Sequence, residues 1–158
     1  WDQRPIEARE DVLMYTGRVL ESDMEVTGPV VAKLYASSSA QDTDFIVRLV
    51  DVYPDGRAMY VCEGVIRARY RDSHQRPTLM EPGKVYEFTI ELEVVSNAFK
   101  KGHRIRLDVT SSNFPRNDRN PNTGHEFGMD AEMRIASQSI LHTRQYPSHV
   151  VLPIIPRG

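Results

Sequence analysis

One cysteine in 158 residues, Cys62, leaves no partner for an intrachain disulfide and rules out a cysteine-rich zinc cluster. No apolar run approaches the ~20 residues that a helix needs to cross a bilayer, and the start carries no signal-peptide pattern. Localisation therefore stays open between cytoplasm and secretion, and no membrane partner is expected. An excess of positive charge is missing too. Lys and Arg number 20 against 22 Asp and Glu, for a net charge of −2, so nucleic acid is not an expected partner. A nucleophile elbow of the G-x-S-x-G kind is absent, because the only glycines with that spacing, Gly124 and Gly128, flank Glu126. The five histidines (His74, His103, His125, His142 and His149) form no H-E-x-x-H pair and no zinc-ligand spacing. Each is expected to be structural or solvent-exposed, and no cofactor is expected.

What the chain has is alternation of period two. In Lys84–Glu93, Tyr86, Phe88, Ile90 and Leu92 fall on one side of a strand, and Glu87, Thr89, Glu91 and Glu93 on the other. His103–Thr110 repeats this, with Ile105, Leu107 and Val109 opposed to Arg104, Arg106 and Asp108. Each pattern predicts one dry face and one wet face. Further strands are expected at Val12–Thr16, Val30–Ala36, Phe45–Val52, Ala58–Arg69 and His149–Ile154. Phe45–Val52 is apolar on both sides and so more central. Glu132–His142 fits a strand better than a helix, and no stretch reads as an amphipathic helix beyond about two turns. Thr27-Gly28-Pro29, Pro54-Asp55-Gly56 and Glu81-Pro82-Gly83 read as turns between the runs, with a hairpin over Tyr53–Arg57. Many short strands, frequent turns and almost no helix predict one all-β domain over residues 1–158, built of two packed antiparallel sheets. A jelly roll, an immunoglobulin-like sandwich and a barrel all fit the pattern.

Three clusters stand out as candidate sites. Arg67, Arg69 and Arg71 alternate with Ala68 and Tyr70, which reads as the solvent side of a strand. Asp42 and Asp44 precede the Phe45 strand; two carboxylates so spaced either cap a turn or offer oxygens to calcium. The stretch Ser111–Gly124 has four asparagines, two arginines and two prolines, and follows a strand directly. A loop of that length either docks against a partner or packs on itself through its Asn and Asp side chains.

Several motifs occur together in one order: Val26-Thr27-Gly28-Pro29-Val30, Asp42-Thr43-Asp44-Phe45, Arg48-Leu49 with Asp51-Val52, Gly102-His103-Arg104-Ile105-Arg106, and Ser111-Ser112-Asn113-Phe114-Pro115. With Asp2-Gln3-Arg4-Pro5, Glu7 and Asp11-Val12-Leu13 at the start, the chain resembles the C-terminal domain of the X-Pro dipeptidyl-peptidase, cocaine esterase and α-amino acid ester hydrolase family over essentially its whole length. The resemblance implies a jelly-roll β-sandwich of the galactose-binding-domain-like type. It also implies an upstream α/β-hydrolase domain of the same polypeptide, which carries the Ser-His-Asp triad and cleaves amides or esters. No position here matches a triad member, so no catalytic residue is carried over. The chain opens on Trp1, which leads us to expect a piece of a longer protein.

Two functions compete: an accessory domain that stabilises and shapes the active-site region of a serine hydrolase, and a carbohydrate-binding module. A sugar site wants exposed aromatic platforms, for which Trp1, Tyr35, Tyr60, Tyr70 and Tyr146 are the candidates. An independent enzyme ranks below both. On the accessory reading, the interface residues are expected at Asn113, Phe114, Arg116, Asp118, Arg119 and Asn120, with Phe114 as apolar anchor. Assembly of several copies is compatible with the sequence. Whether a parent enzyme cuts X-Pro peptides, β-lactam side chains or simple esters is not encoded in these residues.

Overall fold

The computed structural model describes residues 1–126 and 128–156, with 48% strand and 5% helix, so the protein is all-β. The described residues form β1 (Leu13–Val19), β2 (Met24–Ser38), β3 (Asp44–Val52), β4 (Ala58–Arg67), β5 (Tyr86–Phe99), β6 (Arg104–Thr110), β7 (Gln138–Leu141), β8 (His149–Val151) and β9 (Ile154–Ile155). A one-turn helix, α1 (Arg4–Glu7), precedes them, and a 3-10 turn over Ala68–Tyr70 follows β4. One sheet runs β1-β6-β3-β4; in the other, β2 is flanked by β5 and by β7, β8 and β9. Every pairing between strands is antiparallel.

The two sheets pack face to face as a sandwich. Phe45, Val47 and Leu49 of β3 meet Val30, Ala32 and Leu34 of β2 and Phe88 and Ile90 of β5 in one core. The Phe45 and Phe88 rings are 4.7 Å apart between centroids. Each such large side chain contributes roughly 1.5–3 kcal/mol by leaving water. The sheets come so close at Gly64 that a Cβ there would lie 2.3 Å from the Glu91 carbonyl oxygen. Only glycine fits between them.

Several sequence expectations shift. β5 runs beyond Glu93 to Phe99, because its alternation changes phase. Pro29 lies opposite Val94 and Val31 opposite Glu91, so Leu92 and Glu93 together face Val30. This bulge moves the buried set from Phe88, Ile90 and Leu92 to Val95 and Phe99. Thr27-Gly28-Pro29 is no turn either. It lies inside β2, with Gly28 at φ 135°, a conformation open to glycine. Strand is limited to Gln138–Leu141 within the expected Glu132–His142, and the expected His149–Ile154 strand divides at Leu152-Pro153. Of the expected core set, Tyr86, Ile105 and Leu107 are only half-buried, although they pack against the core. For β6 the cause is the open side of the sandwich: Leu107 lines a cleft of about 130 Å³ between Tyr15 of β1 and Ile140 of β7. The Tyr53–Arg57 hairpin forms, with Tyr53 N–H donating to the Arg57 carbonyl at 2.8 Å.

The N-terminal residues position the site. Asp2 bridges to Met59 on β4, at one edge of its sheet, whereas β1 forms the opposite edge. Residues 4–12 must therefore cross the outer face over β3 and β6. With the core on one side, and this crossing and the loop that follows β6 on the other, every residue of β3 is buried.

Candidate docking face

The outer face of the β1-β6-β3-β4 sheet is dry beneath the crossing and the Ser111–Gly124 loop, yet it is charged. Arg48 and Glu63, 3% and 9% exposed, pair at 2.9 Å. Arg48 Nη2 donates to Asn113 Oδ1 at 2.5 Å, and Asn113 Nδ2 donates to Glu63 Oε1 at 2.7 Å. Alternation places these groups away from the apolar core, but it does not make them wet. Asp108, expected on a wet face, is fully buried because α1 lies over it through the Glu7–Arg106 pair at 2.8 Å.

The six interface candidates lie along this face. Arg116 pairs with Glu63 at 3.0 Å and with Glu93 at 2.9 Å. Asp118 accepts from Arg67 Nη2 at 3.1 Å. Asn120 donates to Asp42 Oδ2 at 3.0 Å and to Asp44 Oδ1 at 2.8 Å. These side chains, with Asn113, bind the loop to its own domain. Phe114 differs: it is 58% exposed, with the Arg119 guanidinium 4.7 Å from its ring centroid. Trp1 lies beyond it, 76% exposed and stacked on Tyr60 at 6.3 Å. Trp1 and Phe114 line one cleft of about 140 Å³, and Arg119 reaches a second of about 490 Å³ beside Leu13 and exposed Met133. Arg119, stacked on Phe114, thus stands between the cleft of Trp1 and Phe114 and the cleft of Leu13 and Met133. Sequence reasoning found Phe114 and missed Met133, which sits in an irregular segment with no period to mark it.

Arg67 and Arg69 do not form a solvent side, since their side chains are only 14% and 11% exposed. Arg67 chelates Asp44 through Nε at 2.9 Å and Nη2 at 3.0 Å, which pushes its guanidinium pKa up. Arg69 reaches Asp42 through Nε at 2.7 Å. Guanidinium and amide donors thus take the places that calcium would need at Asp42 and Asp44. Among the described residues, His125, Asp130 and Glu132 bring ligand atoms within 4.8 Å of one another. The spacing carries no metal signature, and the groups are already engaged: His125 with Asp130 at 2.9 Å and Glu132 with Arg134 at 2.8 Å.

A buried His103–Asp51 pair at 2.8 Å has two members of a triad. The imidazole packs on Tyr53 at 4.3 Å, and no serine hydroxyl among the described residues is seen bonded to a histidine ring. Burial pushes the Cys62 thiol up to about 12, so it is no nucleophile either. The aromatic platforms are dispersed. Tyr35 pairs with Tyr146, Tyr60 with Trp1, and Tyr70 with His74.

Residues 2–151 match the family described as the X-Pro dipeptidyl-peptidase C-terminal non-catalytic domain. The chain is 52% identical to a cocaine esterase from a Rhodococcus species, over 99% of its own length and 28% of that protein. It superposes with a TM-score of 0.93 on an aminopeptidase from a marine sediment archaeon of the Thaumarchaeota, at 36% identity, covering 98% of this chain and 27% of that one. An α-amino acid ester hydrolase gives the same TM-score at 31% identity, with the same coverage. The chain thus spans little more than a quarter of the relatives it matches, and it belongs to the family of X-Pro dipeptidyl-peptidase C-terminal non-catalytic domains.

Proposed function

We propose that residues 1–158 act as one accessory domain that docks on the α/β-hydrolase part of the same polypeptide and shapes the approach to its serine active site. The observation that carries this reading is the exposure of Trp1, Phe114 and Met133 around a loop whose polar side chains pair largely with their own domain. Apolar side chains backed by a rigid polar network suit a permanent neighbour. Phe114 and Arg119 would contact that neighbour directly. Asn113, Arg116, Asp118 and Asn120 would hold the loop in its docking shape. The match over nearly the full length of this chain to part of cocaine esterase supports amide or ester hydrolysis by the whole enzyme.

The test exchanges this chain for the matching segment of cocaine esterase. The chimera should keep esterase activity, and Phe114→Ala within it should lower kcat/KM or thermal stability while barely moving the melting temperature of the separate 158-residue chain. The separate chain should hydrolyse neither X-Pro dipeptides nor activated esters above a buffer blank. Ester turnover by the separate chain would overturn the reading, as would a chimera indifferent to deletion of the domain.

A further inference from the structure

Beneath the N-terminal crossing, one group of polar atoms lacks donors. Glu7 and Asp108 are both buried, at 7% and 0% exposure. Glu7 Oε2 accepts from Arg106 Nη1 at 2.8 Å. Glu7 Oε1 and both Asp108 oxygens accept from nothing. The surrounding guanidiniums make no hydrogen bond to these three oxygens. On β3, opposite Asp108, Arg48 gives Nε to Glu63 and Nη2 to Asn113, and its buried Nη1 bonds to nothing among the described residues. On β6, Arg106 gives Nε to Thr16 and Nη1 to Glu7. Glu63 on β4 is matched by Arg48 and Arg116, and Asp11 beyond α1 by Arg9. Among the described residues Asp108 has no counterion hydrogen-bonded to it, and the nearby Arg48 and Arg106 charges only partly offset its burial.

Two buried carboxyl groups with three oxygens lacking donors do not both stay ionised. A carboxylic acid supplies the missing donor from its own O–H. We propose that buried Asp108 keeps a proton that bridges to Glu7, and that this proton latches the N-terminal crossing onto the sheet, so that the crossing loosens as Asp108 ionises. Burial first, and the Glu7 charge second, raise the Asp108 carboxyl to about 7, which agrees with the geometry. The latch stands whether or not the domain docks on a hydrolase. If it does, the segment being latched is the one that enters the domain.

The direction in pH follows from linkage. With the crossing released, Asp108 is an ordinary acid near 3.9; latched, its pKa is higher. The latched state therefore holds one more proton between about pH 4 and pH 7. Its advantage is full below that window and shrinks about tenfold for each pH unit within it. Above pH 7 no further loss occurs.

The test follows backbone hydrogen exchange at Glu7 and Ala8, whose N–H groups donate to Gln3 and Arg4, in the 158-residue chain. After correction for intrinsic exchange, opening should increase about 50-fold from pH 5 to pH 7. In Asp108→Asn, whose amide offers Glu7 a permanent donor, the change should be no more than about threefold. Carboxyl carbon NMR on the unmutated chain supplies a readout that does not require the variant to fold. Asp108 should titrate near neutrality. Titration of Asp108 below pH 5 overturns the bridging proton. Titration near neutrality with unchanged exchange at α1 overturns the latch.

Discussion

The two outer faces of the sandwich carry similar residue types with different fates. On the β5-β2 face, Lys33 and Glu87 pair at 2.9 Å with side chains about 40% exposed, and Tyr35 donates to the same carboxylate at 2.7 Å. On the β6-β3-β4 face, Arg48, Glu63 and Asp108 are as polar, yet buried. Alternation identifies which side of a strand avoids the apolar core. Whether that side meets water depends on what crosses it, here residues 4–12 and the Ser111–Gly124 loop. Cross-strand ion pairs on the wet face add little, whereas those on the dry face have no water to fall back on.

The largest effect should come from removing half of a dry pair. Arg48→Ala leaves Glu63 without its main counterion and Asn113 without a donor. A loss of about 3–5 kcal/mol is expected in urea unfolding of the 158-residue chain. Arg48→Met combined with Glu63→Leu should recover much of that loss, because neither charge is then stranded. If the double replacement is as damaging as Arg48→Ala, the pair contributes more than mutual neutralisation and the contrast between the faces is wrongly drawn.

Next in size is Asp44→Ala, which frees Arg67 from its two-point bond and removes one acceptor of Asn120. It should cost about 2–4 kcal/mol, and addition of a chelator or calcium to the unmutated chain should leave its melting temperature unchanged. A calcium-dependent rise would show that Asp42 and Asp44 yield their guanidiniums to a cation.

Much of this fold was legible from side-chain pattern. β3 read as central because Phe45–Val52 is apolar on both sides, and the Phe88, Ile90 and Leu92 face is in the core. The same double-sided pattern also signals a cover over the outer face. What it does not say is that β6 lies beside β3, and so that Asp108 shares that cover. Long-range neighbours decide this, and a single strand's periodicity is silent about them. The second half of β5 was hidden for a local reason: the bulge at Leu92–Glu93 reverses the phase, so Val95 and Phe99 look like a new element. Gly28-Pro29 misled in the opposite sense, since residues that usually turn the chain here sit within β2. At the docking face, Phe114 was visible as the lone aromatic of a polar loop. The inward pairing of Arg116 and Asn120 was not, because their partners are far away in sequence.

A smaller effect concerns Cys62, which faces the core from β4 with its thiol pushed up to about 12 by burial. Alkylation under native conditions should follow the opening of the sandwich and not the chemistry of an ordinary thiol. The rate should therefore rise in Arg48→Ala and stay unchanged in a wet-face variant. Equal acceleration by both would place Cys62 in a locally opening edge and weaken the comparison.

The smallest effect belongs to the wet face itself. Lys33→Ala removes the Lys33–Glu87 contact, but Tyr35 still donates to Glu87 and both oxygens are open to water. The hydroxyl of Tyr35 and then the ammonium of Lys33 hold the Glu87 carboxyl below its usual value. Whatever stability this carries is present above about pH 4.3, the unfolded value, and is lost as pH falls through the lower folded one. The melting temperature of Lys33→Ala should lie close to that of the unmutated chain at pH 7, and the remaining gap should close in 1 M salt, where screening acts within about 3 Å. Arg48→Ala should stay as damaging in high salt as in low, because its partner is beyond the reach of ions. A salt-sensitive Arg48→Ala would mean that solvent enters beneath the crossing, and the face called dry here would then be wet as well.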